Sequence, residues 1–516
     1  MNGADLLIKT AIAGGIEICF ANPGTTETPL VMALDDVPGI KSVLGLFEGV
    51  CTGAADGYGR MKGKPAMTLL HLGPGFANGI ANLHNARRAR TPIVNVIGEH
   101  ATWHRNADPP LAMDIESLAG TVSGWLRTNG PAENLSRDMA EAISASLYGQ
   151  IASLIVPHDY QLAEPKDERI SLPGFSFDPP DAGLIEKAAI LLQKSNRSAL
   201  VLGGRALLEP GLRLAGRVKE LMGCDLFTVS FPARVERGAG LPSVSRIPYF
   251  PEPAIAMLSG YDSVVFAGSQ EPVTFFGYEG IDSYLFTRDQ VKLHICSDKQ
   301  DVVQALEDLL YALKTGARSQ GREGSLQELK RPGIPSGNLT PEKACQILAA
   351  MQPEGAIIVD EGLTTAFSYY PLTAGLPRHS HMTIAGGAIG YGMPCAVGAA
   401  LGCPDRPVIN FQADGSALYT VQALWTQARE GLNVTTLICS NRSYNIVRVE
   451  FERAGLASPG PSAQTLTDLG HPSIDWVKVA GGFGVPGVSV DTSELLAREL
   501  GRALEEPGPY LIEMIL

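Results

Sequence analysis

Residues 412–444 read QADGSALYTVQALWTQAREGLNVTTLICSNRSY, and this stretch decides how the last third of the chain folds. The apolar run Pro407-Val408-Ile409-Asn410-Phe411 stops at Ala413-Asp414-Gly415-Ser416. Val421, Leu424, Trp425 and Ala428 then recur at helical spacing, and a second strand-like run, Val434 to Cys439, ends at Asn441. The pattern is strand, turn, helix, strand, with a carboxylate closing one strand and an amide closing the next, 27 positions later (441 − 414). In open parallel sheets, ligands sit outside such strand ends, beside helix N-termini. A hard divalent cation such as Mg²⁺ takes oxygen ligands and usually shares them with phosphate. Asp414 offers a charged oxygen, Asn441 a neutral one, and the backbone carbonyl of Ser443 a third. Gly415 lets the chain turn close to a bound diphosphate.

Working outward, 516 residues are too many for one core and predict several domains. The composition, 45% hydrophobic and 18% charged, is that of an ordinary soluble protein. A net charge of −13 argues against a nucleic-acid or anionic-membrane surface, and Arg87-Arg88 is too local to change that. The N-terminus lacks the basic segment and apolar core of a signal peptide, and no apolar run is long enough to span a membrane. The eight cysteines are scattered, without C-x-x-C, and read as reduced thiols in a cytoplasmic protein.

Helix and strand signals alternate from the N-terminus: helix Ala4 to Ala13, strand Glu17 to Phe20, helix Glu27 to Ala33, strand Pro65 to Leu70, a helix after Gly75, and strand Pro92 to Gly98. Linkers are expected at Ser171 to Gly183 and Lys314 to Gly337, both rich in turn-forming or polar residues. Thr340-Pro341-Glu342 starts the helix that opens the third block. The expected fold is α/β with three doubly wound domains, over residues 1–170, 184–316 and 338–516.

A second dense motif runs from Phe47 to Arg60, FEGVCTGAADGYGR, whose small residues suit close helix packing behind the carboxylate of Glu48. Ala21-Asn22-Pro23-Gly24-Thr25-Thr26-Glu27 reads as a strand-end turn and helix cap. Leu69-Leu70-His71-Leu72-Gly73-Pro74-Gly75 puts a histidine at the end of a buried strand, where a satisfied structural role is the commoner one. Gly362-Leu363-Thr364-Thr365 offers hydroxyls and backbone amides to a diphosphate. His100, His104, Arg105 and Asp108 share one polar loop, read as solvated or as a dimer contact, and not as a metal site because Pro109-Pro110 break it.

The Asp414–Asn441 unit resembles the thiamin diphosphate (ThDP) fingerprint, which usually begins Gly-Asp-Gly-Ser and ends in Asn or Asn-Asn. Ala413 replaces the first Gly here, and Ser440 precedes a lone Asn441. Over its whole length the chain is similar to the ThDP-dependent decarboxylases and carboligases, the group of benzoylformate decarboxylase and acetolactate synthase. The resemblance implies pyrimidine-binding, central and diphosphate-binding domains, with ThDP and Mg²⁺ as cofactors. It implies that Glu48 engages the aminopyrimidine ring, that His71 moves protons on the substrate and that the Thr25 hydroxyl faces it. It places Thr364, Gly387, Ile389, Asp414, Gly415, Ser416, Asn441 and Tyr444 with Glu48 at the cofactor, Ile389 being the apolar wedge beneath its bent form. Asp414, Asn441 and Ser443 would hold the metal.

In benzoylformate decarboxylase a second histidine acts in the site; the stretch aligned with it here carries Phe275-Phe276. Acetolactate synthases resemble Gly73-Pro74-Gly75 better but carry a hydroxyl residue in place of His71. The expected reaction is decarboxylation of a 2-oxo acid, releasing an aldehyde or passing the enamine to a second carbonyl, as an acetolactate synthase-type carboligase does. A non-catalytic, ThDP-binding regulatory paralogue is the rival from another class, favoured by Ala413 and opposed by Glu48, Asp414 and Asn441 together. A homodimer or homotetramer with active sites at the subunit interface follows from the resemblance. No FAD is expected, because Gly203-Gly204-Arg205 is too common a turn to imply it.

Overall fold

Three largely parallel sheets flanked by helices make up the computed structural model, which describes residues 1–316, 326–455 and 460–516. The first sheet takes β1 (Ile18–Asn22), β2 (Lys41–Leu44), β3 (Ala66–Leu70), β4 (Ile93–Glu99), β5 (Trp125–Thr128) and β6 (Ile151–Pro157). Their order is β2-β1-β3-β4-β6-β5, all parallel. Every residue of β3 and β6 is buried, as expected of strands with helices on both faces, so they read as unbroken apolar runs.

The second sheet is built from β7 (Ser198–Leu202) and β8 (Asp225–Thr228). The chain then leaves it for β9 (Val235–Arg237) and returns as β10 (Ser245–Arg246), β11 (Ser263–Ala267) and β12 (Val291–His294). The third sheet contains β13 (Ile357–Glu361), β14 (His379–Thr383), β15 (Val408–Ala413), β16 (Val434–Ser440), β17 (Gly487–Val490) and β18 (Tyr510–Ile515). Its order is β17-β18-β16-β15-β13-β14-β9, and β9 is its one antiparallel strand. The central block therefore lends an edge strand to the third sheet, which the sequence pattern did not foretell.

The linker Ser171–Gly183 is extended and stitched down: Asp178 N donates to Lys299 O at 2.8 Å, and Ser171 N to Ser136 Oγ at 2.7 Å. Of the expected linker Lys314–Gly337, residues 317–325 lie outside the described residues, and the remainder bonds to Leu241 and Gly375. No described helix is long and apolar enough to cross a membrane.

The first and third sheets share one apolar core, in which Phe20, Val50 and Phe76 join Tyr391, Met393 and Trp476. At its centre two helices, Glu48–Lys62 and Gly392–Gly402, lie backbone to backbone. A Cβ on Gly57 would fall into the Cys395 carbonyl, and one on Gly398 into the Ala54 carbonyl. The small residues noted in the sequence thus set the helix spacing. Arg60 locks the same seam, its Nε donating to Asp56 at 2.8 Å and its Nη1 to Thr383 O at 2.8 Å and the Tyr391 hydroxyl at 3.0 Å.

Candidate active site

Parallel pairing puts the ends of β1 and β3 side by side, Asn22 opposite Leu70. The turn after β1 and the residue after β3 must therefore meet, and they do. His71 Nδ1 lies 2.7 Å from Glu27 Oε2, and the same oxygen accepts from Gly24 N at 2.8 Å. Thr26 Oγ1 donates to Glu27 Oε1 at 2.6 Å and stands 3.2 Å from His71 Nδ1. The Glu27 side chain is 0% exposed and that of His71 21%. Gly98 of β4 makes room for this carboxylate, since a Cβ there would occupy the position of Glu27 Oε1. With Nδ1–H donating to the carboxylate, Nε2 is the ring atom left with a lone pair.

Thr25 is exposed, and its carbonyl accepts from Thr28 Oγ1 at 2.6 Å. The hydroxyl against His71 belongs instead to Thr26. Glu48, the first residue of its helix, is half-buried, and its Oε2 accepts from Asn78 Nδ2 at 3.0 Å. Gly75 stands next to its other oxygen, where a Cβ would come within 3.1 Å.

The second cluster gathers at the strand ends of the third sheet. Asp414 closes β15 and opens the short helix Asp414–Ala417. It is 3% exposed, with Oδ1 accepting from Gly415 N at 2.8 Å and Oδ2 from Arg442 N at 2.7 Å. Burial pushes this carboxyl up in spite of both bonds, and the charge of Glu513 adds to the rise. Asn441, just beyond β16, turns its Oδ1 to Ser443 N at 3.0 Å. The Tyr444 ring lies over Gly415, and Thr364 Oγ1 accepts from Asn445 Nδ2 at 3.4 Å. Ser416 Oγ takes a bond from Gln412 Nε2 at 2.6 Å. The structure thus gathers Thr364, Asp414, Gly415, Ser416, Asn441, Ser443 and Tyr444 at one end of the sheet.

No group of three His, Cys, Asp or Glu side chains poised for a metal occurs among the described residues. A cation here would need the mixed set of carboxylate, amide and main-chain oxygen, which is what Mg²⁺ accepts. Asp414 fits that requirement: among the described residues no Lys or Arg side chain acts on it, so its buried carboxylate has no counter-ion there. In the loop that follows β4, the rings of His100 and His104 lie 5.7 Å apart, edge to face.

Two site residues escaped the sequence reading. Glu27 was legible only as a cap, although it is an acid three residues beyond Gly24 in a turn whose partner strand ends in histidine. Glu361, at the end of β13, is 1% exposed and accepts from Gly390 N at 2.8 Å, Gly392 N at 2.5 Å and Gln412 Nε2 at 3.0 Å. It thereby fixes the turn that carries Ile389. An acid closing the apolar run Ala356–Val359 was the available signal.

That turn also lies against the N-terminal block. Asn82 Nδ2 donates to Gly49 O at 2.9 Å and to Gly390 O at 3.1 Å, and Asn85 Nδ2 to Ala388 O at 2.7 Å. Above Ile389 and Gly387 opens a cleft of about 310 Å³ walled by Phe231, Tyr249, Phe275 and Phe367. Phe275 sits on Gly387, where a Cβ would come within 2.6 Å of its Cζ. The Phe275–Phe276 pair therefore lines this cleft with rings and brings no titratable group to it.

A family described as thiamine pyrophosphate enzyme, N-terminal TPP binding domain, matches residues 1–118, and its C-terminal TPP binding domain counterpart matches residues 362–514. The Mycobacterium tuberculosis (strain ATCC 25618 / H37Rv) protein named "Putative acetolactate synthase large subunit IlvX" is 45% identical, over 100% of this chain and 99% of its own. Benzoylformate decarboxylase of Pseudomonas aeruginosa is 28% identical over 97% of this chain and 96% of its own. Among solved structures, the Rhodococcus jostii RHA1 thiamine diphosphate-dependent 4-hydroxybenzoylformate decarboxylase superposes with a TM-score of 0.86 at 24% identity. That likeness covers 100% of this chain and 99% of the other, and shows the shared fold.

Proposed function

The chain belongs to the thiamin diphosphate-dependent enzyme family, as a decarboxylase- and acetolactate synthase-like member, and from that premise we propose that it decarboxylates a 2-oxo acid. The observation that carries the proposal is Asp414, a buried carboxylate without a side-chain counter-ion among the described residues, beside the Asn441 amide at the strand ends. Asp414, Asn441 and the Ser443 carbonyl would hold Mg²⁺, and through it a diphosphate. Thr364 and the Gly415 and Ser416 backbone would receive the diphosphate, with Tyr444 packed beside it. Ile389, in the turn that Glu361 holds through Gly390 N and Gly392 N, would support the cofactor's bent form. When bound, ThDP supplies the nucleophilic carbon and the electron sink for loss of CO₂.

The chain's own residues then have three tasks. Glu48 would take and return a proton at its carboxyl oxygens, as the partner of the aminopyrimidine when the cofactor is bound. His71, its Nδ1–H fixed on Glu27, presents Nε2 as proton acceptor and donor toward the substrate. The rings of Phe231, Tyr249, Phe275 and Phe367 exclude water, which strengthens the remaining polar contacts. We propose a homodimer as the smallest active unit, with the active sites at the subunit interface. The central block works in this reading without flavin.

The aldehyde-releasing reaction is favoured by His71, whose Nε2 can take up a proton and pass it on; carboligation is the second reading, favoured by the likeness to the M. tuberculosis protein. The test is purified protein with ThDP, Mg²⁺ and a panel headed by pyruvate and benzoylformate, following CO₂ and products, with Glu48→Gln alongside. CO₂ release that collapses in the variant supports the mechanism, and aldehyde against hydroxyketone chooses the outcome. Failure of the wild type to bind ThDP by calorimetry would overturn it.

A further inference from the structure

A larger cavity, about 500 Å³, lies between the second and third sheets, and the proposed reaction does not use it. Arg237, Arg246, Ser243 and Ser245 line it together with Phe231, Tyr249 and Phe367, among others. Arg237 is 5% exposed. Its Nε donates to Thr373 Oγ1 at 2.6 Å, Nη1 to Val244 O at 3.0 Å and Nη2 to Tyr370 O at 3.2 Å. All three acceptors are neutral. Its guanidinium carbon lies 3.7 Å from the centre of the Tyr370 ring, and that of Arg246 lies 4.8 Å from the same ring.

Neither arginine forms an ion pair among the described residues, while the acids nearby are engaged elsewhere. Glu236 pairs with Arg234 and accepts from Ser380 at 2.7 Å; Asp360 accepts from His381 Nε2 at 3.1 Å. His379 and His381 are both held neutral by burial, so they add no charge at neutral pH. Burial and the charge of Arg246 together press the Arg237 pKa down. A cross-linking arginine would need only the three neutral acceptors that Arg237 already has. A second cation on the same ring sets repulsion against its own stacking there, and a bound anion would reverse the sign of that repulsion.

We propose that this cavity binds a small organic oxyanion, a carboxylate or phosphate on an aromatic or apolar body, with its charge at Arg237 and Arg246 and its body on Phe231, Tyr249 and Phe367. Guanidinium groups suit both head groups because their fork matches two oxygens. The same three rings also wall the cleft above Ile389, so a molecule in this cavity touches the back of the candidate active site. Occupancy is therefore coupled to the shape of that cleft.

The test uses the full chain loaded with ThDP and Mg²⁺, titrated calorimetrically with 4-bromophenyl phosphate, 4-bromophenylacetate and neutral 4-bromobenzyl alcohol. At least one anion is expected to bind, about tenfold or more tighter than the alcohol and more weakly as salt rises. Arg246→Met, at a half-exposed position, should keep the melting temperature and lose about tenfold or more of that affinity. Arg246→Lys should recover part of it. In crystals the bromine signal should lie in the cavity, and the tighter anion identifies the head group. Equal binding by wild type and Arg246→Met, no binding of either anion at millimolar concentration, or bromine above Ile389 would each overturn the proposal.

Discussion

The two halves of the candidate site differ in how much of their own charge they satisfy. Around Glu27 the chain supplies three donors, Gly24 N, Thr26 Oγ1 and His71 Nδ1, and one of them is the group that the carboxylate orients. Around Asp414 it supplies two backbone N–H groups and a nearby like charge from Glu513. The first arrangement is complete when the chain folds. The second leaves a buried carboxylate that no Lys or Arg among the described residues neutralises. A histidine that must hold one tautomer calls for the first kind of surroundings, and a site that must capture a cation calls for the second.

The largest effect is expected where the halves are joined. Gly398→Leu would drive its side chain into the Ala54 carbonyl and part the two central helices. Backbone cannot yield as a side chain does, so the cost should be about 3 kcal/mol or more. Thermal melts should show a large fall in stability, with ThDP binding and turnover lost together. A chain that kept either half working after this change would break the idea that one seam supports both.

Asp414→Asn tests the unsatisfied half alone. Wild-type protein at 100 times its Kd for the cofactors should gain about 2.7 kcal/mol of stability, and the variant should gain almost none. Activity should fall by on the order of a hundredfold or more. The pH dependence has a definite sign. The folded carboxyl sits above its unfolded value, so its contribution is full below the unfolded pKa and is lost as pH rises through the raised folded one. Glu361 is shifted the same way, and subtracting the variant's curve from that of the wild type isolates the Asp414 share. Addition of Mg²⁺ and ThDP at neutral pH should remove the loss in the wild type only.

Glu27→Gln tests the completed half. The amide keeps the shape but can turn a donor toward His71, favouring the wrong tautomer. A drop in kcat of roughly 10²- to 10⁴-fold is expected, with ThDP affinity by calorimetry unchanged. Loss of cofactor binding in this variant would erase the distinction between the halves.

The same contrast explains what the sequence could disclose. The Asp414–Asn441 half was readable because strand, turn and strand each leave a local pattern, and its candidate groups fall at the pattern's breaks. The Glu27–His71 pairing joins residues 44 positions apart, and it depends on β1 and β3 lying side by side. No local period records which strands are neighbours. For the same reason β9 escaped notice: three residues within the central block pair with a strand well over a hundred positions later. Glu361 was passed over because its partners are backbone N–H groups of Gly390 and Gly392, and backbone donors leave no mark in a sequence.

The smallest expected effects separate two adjacent hydroxyls. Thr26 bonds to Glu27 and touches His71, whereas Thr25 is exposed and, by the family resemblance, faces the substrate. Thr26→Val removes one hydrogen bond to a charged group from a network that already holds the histidine by a shorter contact. A cost of about 1.5 kcal/mol, roughly tenfold, should fall on kcat, because in the proposed mechanism His71 acts during proton transfer. Thr25→Val leaves the Glu27 network intact and should act on KM, by about fivefold, through one lost contact to the bound substrate. Steady-state kinetics on the best 2-oxo acid of the panel would separate the two. A kcat effect at Thr25 equal to that at Thr26 would mean that the proton-handling half extends beyond the dyad to the neighbouring hydroxyl. The boundary between the part that orients and the part that binds would then lie one residue earlier in the turn.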